Sequence, residues 1–338
     1  MATTLSIVIG TRNRLESLKQ CLGSLLDKIK TNHEIIVTDA GSTDGTLDYL
    51  KSLSEIKLVE DGKPIGQARS LNQVFQTLDS TYTCWLSDDN VMIEGMLDLA
   101  TSILDEHPDI GMVALKVKDV LGPFTDEPYI GGIAKVTDIL NCNQGVIRTE
   151  LLKSVGYFDE TFRDYGIDSD LTTKVLLSGY KVVYTKDVAI YHYRDHAGAP
   201  GVFDIEERAQ RQERGNQLYK DKYRESFKLD LQSRLRRKVG RTILGWINIL
   251  FGKTIKNSFF SDRLIIHIRL DLKRELLFGY NLRDWRNLLR CQFISLADFW
   301  LNRNQPFYLV QYIPPRLRNQ SSIQPLLGSE SILLKSAE

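Results

Sequence analysis

Two adjacent carboxylates repel each other unless a cation or donor compensates them, and the chain carries such a pair in Ser87-Asp88-Asp89-Asn90. Hard oxygen ligands of this kind, completed by phosphate oxygens, suit Mg2+ or Mn2+. The competing use is a turn whose solvated acids cap the helical pattern from Ile93. Asp39 stands ahead of Gly41-Ser42-Thr43-Asp44-Gly45, where it could accept from a ribose hydroxyl or a nucleobase N–H, or cap its own loop. Gly66, Arg69 and Asn72 lie three apart at the start of a helical stretch and so share a face. Arg69 could pair there with a diphosphate, or be a surface arginine. Asp168 opens a helix in Tyr165-Gly166-Ile167-Asp168-Ser169-Asp170-Leu171. It is a candidate general base, small, positionable and expected to be ionised at pH 7. Asp170 could instead cap that helix, with the two acids trading roles. His192 closes the apolar pattern Val188–Tyr191 and could face a site or the core.

These residues need a scaffold, and the first 120 residues supply a pattern for one. Short β-branched runs at Leu5–Gly10, His33–Asp39, Lys57–Glu60, Tyr82–Leu86 and Gly111–Lys118 read as strands. Helical spacing fills Arg14–Ile29, Thr43–Leu53, Ile65–Leu78 and Ile93–His107, with Ser42 or Asp44 available as the cap of the second. Strands separated by single helices predict a parallel sheet with helices on both faces. Ligands of such sheets sit beyond the carboxyl ends of the strands. Four polar clusters fall there: Gly10–Arg14, Asp39–Gly45, Asp61-Gly62 and Ser87–Asn90.

Charge divides the chain. The formal net charge of +1 conceals 19 basic against 30 acidic side chains in residues 1–204, and 25 against 13 in residues 205–338. An acidic front that handles anionic nucleotides needs a divalent cation, and a basic back suits an anionic surface. The expected organisation is therefore an α/β domain over 1–204 and a basic, mainly helical region over 205–338. In that second region Trp285, Leu288, Leu289, Leu296, Phe299 and Trp300 keep helical spacing, whereas Leu264–Leu272 fits strand and helix equally. Four scattered cysteines form no CxxC pair, which excludes a zinc ribbon and argues against a disulfide framework. The first strand pattern starts at Leu5, so no signal peptide is expected. The longest apolar stretch, Ile243–Phe251, is about half a bilayer-spanning helix. The expectation is a cytoplasmic protein, soluble or peripheral on the inner face of a membrane.

Taken together, the blocks resemble the inverting, GT-A-fold glycosyltransferases of family 2. The opening strand and Thr-x-Asn-Arg turn match Ser6–Arg14, and the strand-two Asp with its Gly-Ser-Thr-Asp-Gly loop matches Asp39–Gly45. Ser87–Asn90 matches the DxD-type motif, with Ser in place of a first Asp. The acceptor-side signature is matched from Gly145-Val146-Ile147-Arg148, through Gly156-Tyr157-Phe158-Asp159-Glu160, Asp168-Ser169-Asp170-Leu171 and Gly179-Tyr180, to His192. The resemblance implies a GT-A fold, Rossmann-like with a mostly parallel sheet and flanking helices. It further implies that Thr11, Arg12 and Asp39 hold the nucleoside and that Asp88 contacts ribose or sugar. Asp89 would ligate Mn2+ or Mg2+, His192 would help at the metal or diphosphate, and Asp168 would be the catalytic base. The implied partners are a nucleoside-diphosphate sugar, a UDP-sugar first among them, and a growing polysaccharide or lipid-linked acceptor. Ile167 departs from the pattern where Glu is usual, as Ser87 does.

Other classes fit less well. No GxGxxG follows a strand, against a dehydrogenase, and Gly10–Arg14 is not the Gly-rich loop of a nucleotidyltransferase. Gly252-Lys253-Thr254 lacks the first P-loop glycine, Ile247 standing in its place. A degenerate sugar-binding scaffold in a polysaccharide assembly complex is the alternative from another class. Arg234, Arg236, Arg237, Lys238 and Arg241 precede Ile243-Leu244-Gly245-Trp246-Ile247, an arrangement suited to an interfacial helix on an anionic membrane. A helical subdomain buried against the catalytic domain or a second copy of the chain would use the same residues. No nucleic-acid motif accompanies the charge, and no nucleic-acid partner is expected.

Overall fold

The computed structural model describes residues 4–26, 28–121, 125, 127–134, 136–194, 205–224, 226–227, 291, 293–294, 301–302 and 304–318. Everything below concerns these residues. Arg234–Phe251, Gly252–Thr254, Leu264–Leu272 and Trp285–Trp300 of the sequence reading lie outside them, apart from a few isolated positions.

The chain alternates β1 (Leu5–Thr11), α1 (Leu15–Gly23), β2 (His33–Asp39), α2 (Thr46–Lys51), β3 (Ile56–Glu60), α3 (Gln67–Phe75) and β4 (Tyr82–Ser87). A short β5 (Asn90–Met92), α4 (Met96–Glu106) and a long β6 (Ile110–Leu121) follow. A two-stranded ribbon, β7 (Ile133–Ala134) and β8 (Ile139–Leu140), precedes β9 (Gly145–Arg148) and α5 (Thr149–Ser154). After a 3-10 turn at Glu160–Phe162 come α6 (Ile167–Leu177), β10 (Lys181–Tyr193), α7 (Ile205–Tyr223) and β11 (Phe307–Gln311). The main sheet runs β11-β10-β6-β9-β4-β1-β2-β3, with β5 paired to β10. β1 to β4 are mutually parallel, as are β6 and β10; β9, β5 and β11 run against them.

The predicted strands all form, and the parallel expectation holds for the first four. β9 was not foreseen as a strand: it inserts antiparallel between β4 and β6 and separates the two parallel halves. Two buried clusters cover the sheet. One gathers Ile7, Ile9, Leu18, Leu22, Leu97 and Leu104 against α1 and α4; the other gathers Val8, Leu71, Phe75, Trp85, Leu171 and Tyr223 around α3, α6 and α7. Being covered on both faces explains why these strands read as unbroken apolar runs.

Register sets the strand ends level. Thr11 pairs with Asp39, Asp39 with Glu60, and Gly10 with Ser87. The polar clusters after β1, β2, β3 and β4 therefore share one edge. The stretch beyond residue 204 joins the same body where it is described. Tyr219, Tyr223, Phe227, Cys291, Phe293 and Ile294 pack into the α6 side of the core, and β11 extends the sheet beside β10. All four cysteines are buried. No helix among the described residues is long and apolar enough to cross a membrane.

Candidate active site

At the carboxyl edge of the strands lies a cavity of about 490 Å3. Its wall includes Gly10, Thr11, Arg12 and Arg14 from the β1 end, Ser87, Asp88 and Asp89 from the β4 end, and His192 and Arg194 from the end of β10. Tyr165, Gly166 and Asp168 close it from the start of α6.

Asp88 is buried and fully engaged: Thr11 Oγ1 donates to Oδ2 at 2.7 Å and Arg14 Nη1 to Oδ1 at 2.8 Å. Burial pushes its carboxyl up, to about 6, with Arg14 pulling down and the Asp89 charge adding to the rise. Asp89 goes the other way. Burial opposes ionisation, but His192 and Arg14 outweigh it and hold the group below its usual range. Topology brings His192 here. β5 turns straight back from Asp89 and pairs with β10, setting Asn90 opposite His192, while Tyr193 N–H donates to Asp89 O at 2.9 Å.

His192 Nε2 lies 3.2 Å from Asp89 Oδ1, and its Nδ1 lies 3.2 Å from Asp119 Oδ1. Asp119 is itself fully buried and held by Tyr129 Oη at 2.9 Å and Arg194 Nε at 3.0 Å. A carboxylate on one ring nitrogen leaves the other aimed at a ligand position, a common support for a metal-binding histidine. Asp89 Oδ1 receives no well-directed hydrogen bond despite its burial. Among the described residues no group of three or more His, Cys, Asp or Glu is placed to cage a metal alone. One buried carboxylate oxygen beside one oriented imidazole fits the donor chemistry of a divalent cation.

Asp168 occupies the first turn of α6. The cap position belongs to Gly166, at φ +95°, so neither Asp168 nor Asp170 is the helix cap. A Cβ at Gly166 would stand 2.8 Å from Phe162 Cδ1, which reserves the site for glycine. Burial raises the Asp168 carboxyl to about 8, with the Trp85 indole N–H drawing it back. The expectation that it is ionised at pH 7 is thereby corrected: most of it holds its proton there. Asp170 is fully buried in a separate ion network, with Tyr223 Oη at 2.7 Å, Lys222 Nζ at 2.7 Å and Lys174 Nζ at 3.3 Å. Ile167, where the motif usually has Glu, is buried in the core. Ser87 Oγ receives a hydrogen bond from Gln144 Nε2 at 3.4 Å.

With this geometry in place, comparison with known proteins is specific. Residues 6–144 match the model of Glycosyl transferase family 2. That stretch is a family 2 glycosyltransferase domain. EpsE of Bacillus subtilis (strain 168), which carries a glycosyltransferase name, is 25% identical over 198 residues, spanning 49% of this chain and 70% of EpsE. The solved structure of S. aureus TarS 1-349 superposes with a TM-score of 0.51 at 17% identity, covering 90% of this chain and 88% of that one. Its complex with UDP-GlcNAc gives 0.51 and 17% over 85% and 86%. At such identity the likeness is one of fold, and the fold is GT-A.

The cavity gathers most of the residues singled out from sequence: Thr11, Arg12, Asp88, Asp89, Asp168 and His192 line it. Asp39 and Arg69 are not on its wall. The Asp39 carboxylate is turned into its own loop, accepting from Gly41 N at 3.0 Å, Ser42 N at 2.9 Å and Ser42 Oγ at 2.5 Å. Arg69 is exposed; the α3 positions facing the cavity are Gln67, Ser70 and Leu71. Nor does Asn72 share that surface with Arg69. It is buried, bonded through Nδ2 to Phe158 O at 2.9 Å, and so ties α3 to the Gly-Tyr-Phe-Asp-Glu block. Sequence reasoning missed Arg163, Arg194, Arg208 and Arg211, all in the wall of the cavity. Arg208 and Arg211 share one face of α7 at a spacing of three, a signal open to inspection but hidden among the other charges of Ile205–Tyr223.

Proposed function

We propose that this protein is a metal-dependent inverting glycosyltransferase. It moves a sugar from a nucleoside-diphosphate sugar to a hydroxyl of a glycan or lipid-linked acceptor. The observation that carries the reading is the single cavity shared by Asp168 and the Asp88–Asp89–His192 group. Thr11 and Arg14 fix Asp88 toward the ribose or sugar, and Asp39 shapes the loop beside which Thr38 and Ala40 receive the nucleoside. Asp89 and His192 Nε2 would hold Mn2+ or Mg2+, which would supply positive charge to offset that of the departing diphosphate. Arg12 adds a cation to the wall for phosphate oxygens. Asp168 takes the proton of the acceptor hydroxyl as that oxygen attacks the anomeric carbon opposite the leaving group. A carboxyl raised by burial is a stronger base once ionised, which suits it to a weakly acidic alcohol.

TarS, which shares the fold, is described in complex with UDP-GlcNAc, and this supports UDP as the first nucleotide to test. The proposal extends to a cytoplasmic enzyme peripheral on an anionic membrane, supported by the basic-then-apolar run from Arg234 to Ile247. Calorimetric titration with UDP, GDP and dTDP, each with and without Mn2+, tests the site in wild type and Asp89→Ala. Metal-dependent binding of one nucleotide, abolished by the substitution, is the expected result. Failure of all three to bind would favour the degenerate sugar-binding scaffold.

A further inference from the structure

Six arginines line the cavity: Arg12, Arg14, Arg163, Arg194, Arg208 and Arg211. Four are neutralised by carboxylates. Arg14 reaches Asp88 and Asp89, Arg163 lies 3.5 Å from Asp164, Arg194 holds Asp119, and Arg211 holds Asp164 and Glu207. Arg12 and Arg208 have no ion-pair or hydrogen-bond partner among the described residues. A guanidinium left unpaired in a concave wall is where an incoming anion gains most, because no internal partner has to be displaced.

The two cations without a partner among the described residues arrive from different elements. Arg12 follows β1 and stands with the donor-side residues. Arg208 projects from α7, which packs on α6 and the 3-10 turn. The docking is close: Arg211 Nη1 meets Asp164 Oδ2 at 2.8 Å, and a Cβ on Gly215 would stand 2.2 Å from Tyr165 O. The segment so gripped, Asp164 to Asp168, carries the proposed base. Arg208, one turn before Arg211 on the same face, therefore stands at the side of the cavity where an acceptor hydroxyl must lie.

We propose that Arg208 binds an anionic group, a phosphate or carboxylate, on the acceptor, so that the acceptor is an anionic chain and not a neutral glycan. This rests on the glycosyltransferase reading above. The donor diphosphate is the other source of the same chemistry, and the test separates the two.

The full-length chain, as wild type, Arg208→Ala and Arg208→Lys, is titrated with UDP plus Mn2+. UDP-saturated protein is then titrated with glycerol 2-phosphate and, separately, with glycerol. The expected result is that glycerol 2-phosphate binds and glycerol does not, with UDP affinity within about twofold in all three proteins. Arg208→Ala should weaken the phosphate probe about tenfold or more, the loss of a charge-assisted hydrogen bond, and Arg208→Lys should restore part of it. Equal binding of both probes, or phosphate binding unchanged in Arg208→Ala, would overturn the proposal. So would a parallel loss of UDP affinity, which would assign Arg208 to the donor diphosphate. Wild type that binds no nucleotide would remove the donor reading itself, and the acceptor assignment with it.

Discussion

Replacing Asp168 with Asn keeps the shape of the side chain and removes its proton-accepting charge. Burial lifts the carboxyl to about 8, and kcat/KM reports the ionisation of groups in the free enzyme. With a group of that pKa the ionised fraction is roughly 1% at pH 6, about 9% at pH 7 and about 90% at pH 9. Wild-type kcat/KM should thus climb close to tenfold per unit up to about pH 8 and then level off. Asp168→Asn should lose about 10^2- to 10^4-fold, the usual contribution of a positioned base, equivalent to about 3–5 kcal/mol of barrier. Its residual rate should be flat with pH. Stability should move oppositely. Because the folded-state pKa is raised, the stability that wild type enjoys below about pH 4 is lost progressively as pH rises through about 8. At roughly 1.4 kcal/mol per unit of displacement the loss has a ceiling of about 6 kcal/mol. Asp168→Asn should therefore melt a few degrees higher than wild type at pH 8 and at the same temperature near pH 4. The assay is initial-rate release of nucleoside diphosphate from the donor found by calorimetry, between pH 6 and 9, with melting curves from pH 4 to 9. A wild-type profile without slope, or an Asn variant that keeps the slope, would refute the assignment of Asp168 as base.

Three further perturbations probe the surroundings. Asp119→Asn weakens the support of His192 Nδ1, and Mn2+ affinity in the presence of nucleotide should fall about 10- to 100-fold; an unchanged Mn2+ titration would detach His192 from the metal. Gly166→Ala forces a Cβ onto φ +95° and toward Phe162, and should cost about 1–3 kcal/mol in denaturant unfolding. Wild-type stability would show that this cap relaxes freely. Lys222→Met strips a shared cation from Asp170 and Asp159, at a cost of about 3–5 kcal/mol. Burial opposes ionisation of Asp159, but Lys222 and Thr161 hold its carboxyl down at about 2, so that part of the stability is present above about pH 4 and lost as pH falls through 2. The gap between variant and wild type should narrow over that acid range, and a gap independent of pH would assign the loss to packing alone.

Much of the fold was legible because its residues announce their own environment. Leu5–Thr11, His33–Asp39 and Tyr82–Ser87 are apolar on both faces, and only a sheet covered on both sides accepts such runs. β9 was not legible. Its four residues are too short for any periodicity, and its place between β4 and β6 is decided by pairing with strands distant in sequence. Cap assignments failed for a related reason. Asp168 and Asp170 are both good capping types, but the left-handed turn at Gly166 took that position and left them to a cavity wall and to a buried ion network.

In the site, residues that act through strand ends were found and residues that act through helix docking were not. Asp88 and Asp89 follow directly from β4, and register alone sets them level with Thr11. Their meeting with His192 needs the β5 reversal, which no local pattern shows. Arg208 and Arg211 depend on how α7 sits, and its charged sequence reads as a helix solvated all round. What docks it is a second stripe, Gly215, Tyr219 and Tyr223 at intervals of four. Gly215 admits the backbone of Tyr165, Tyr219 Oη bonds Thr137 and Thr173, and Tyr223 Oη bonds Asp170. Four-residue spacing of a glycine and two tyrosines within a charged helix is thus the readable sign that the helix has a buried face. The charge of the chain changes sign near residue 205, yet its packing continues through Tyr223. Arg208 and Arg211 accordingly enter the cavity from a helix fixed to the same core as the proposed base.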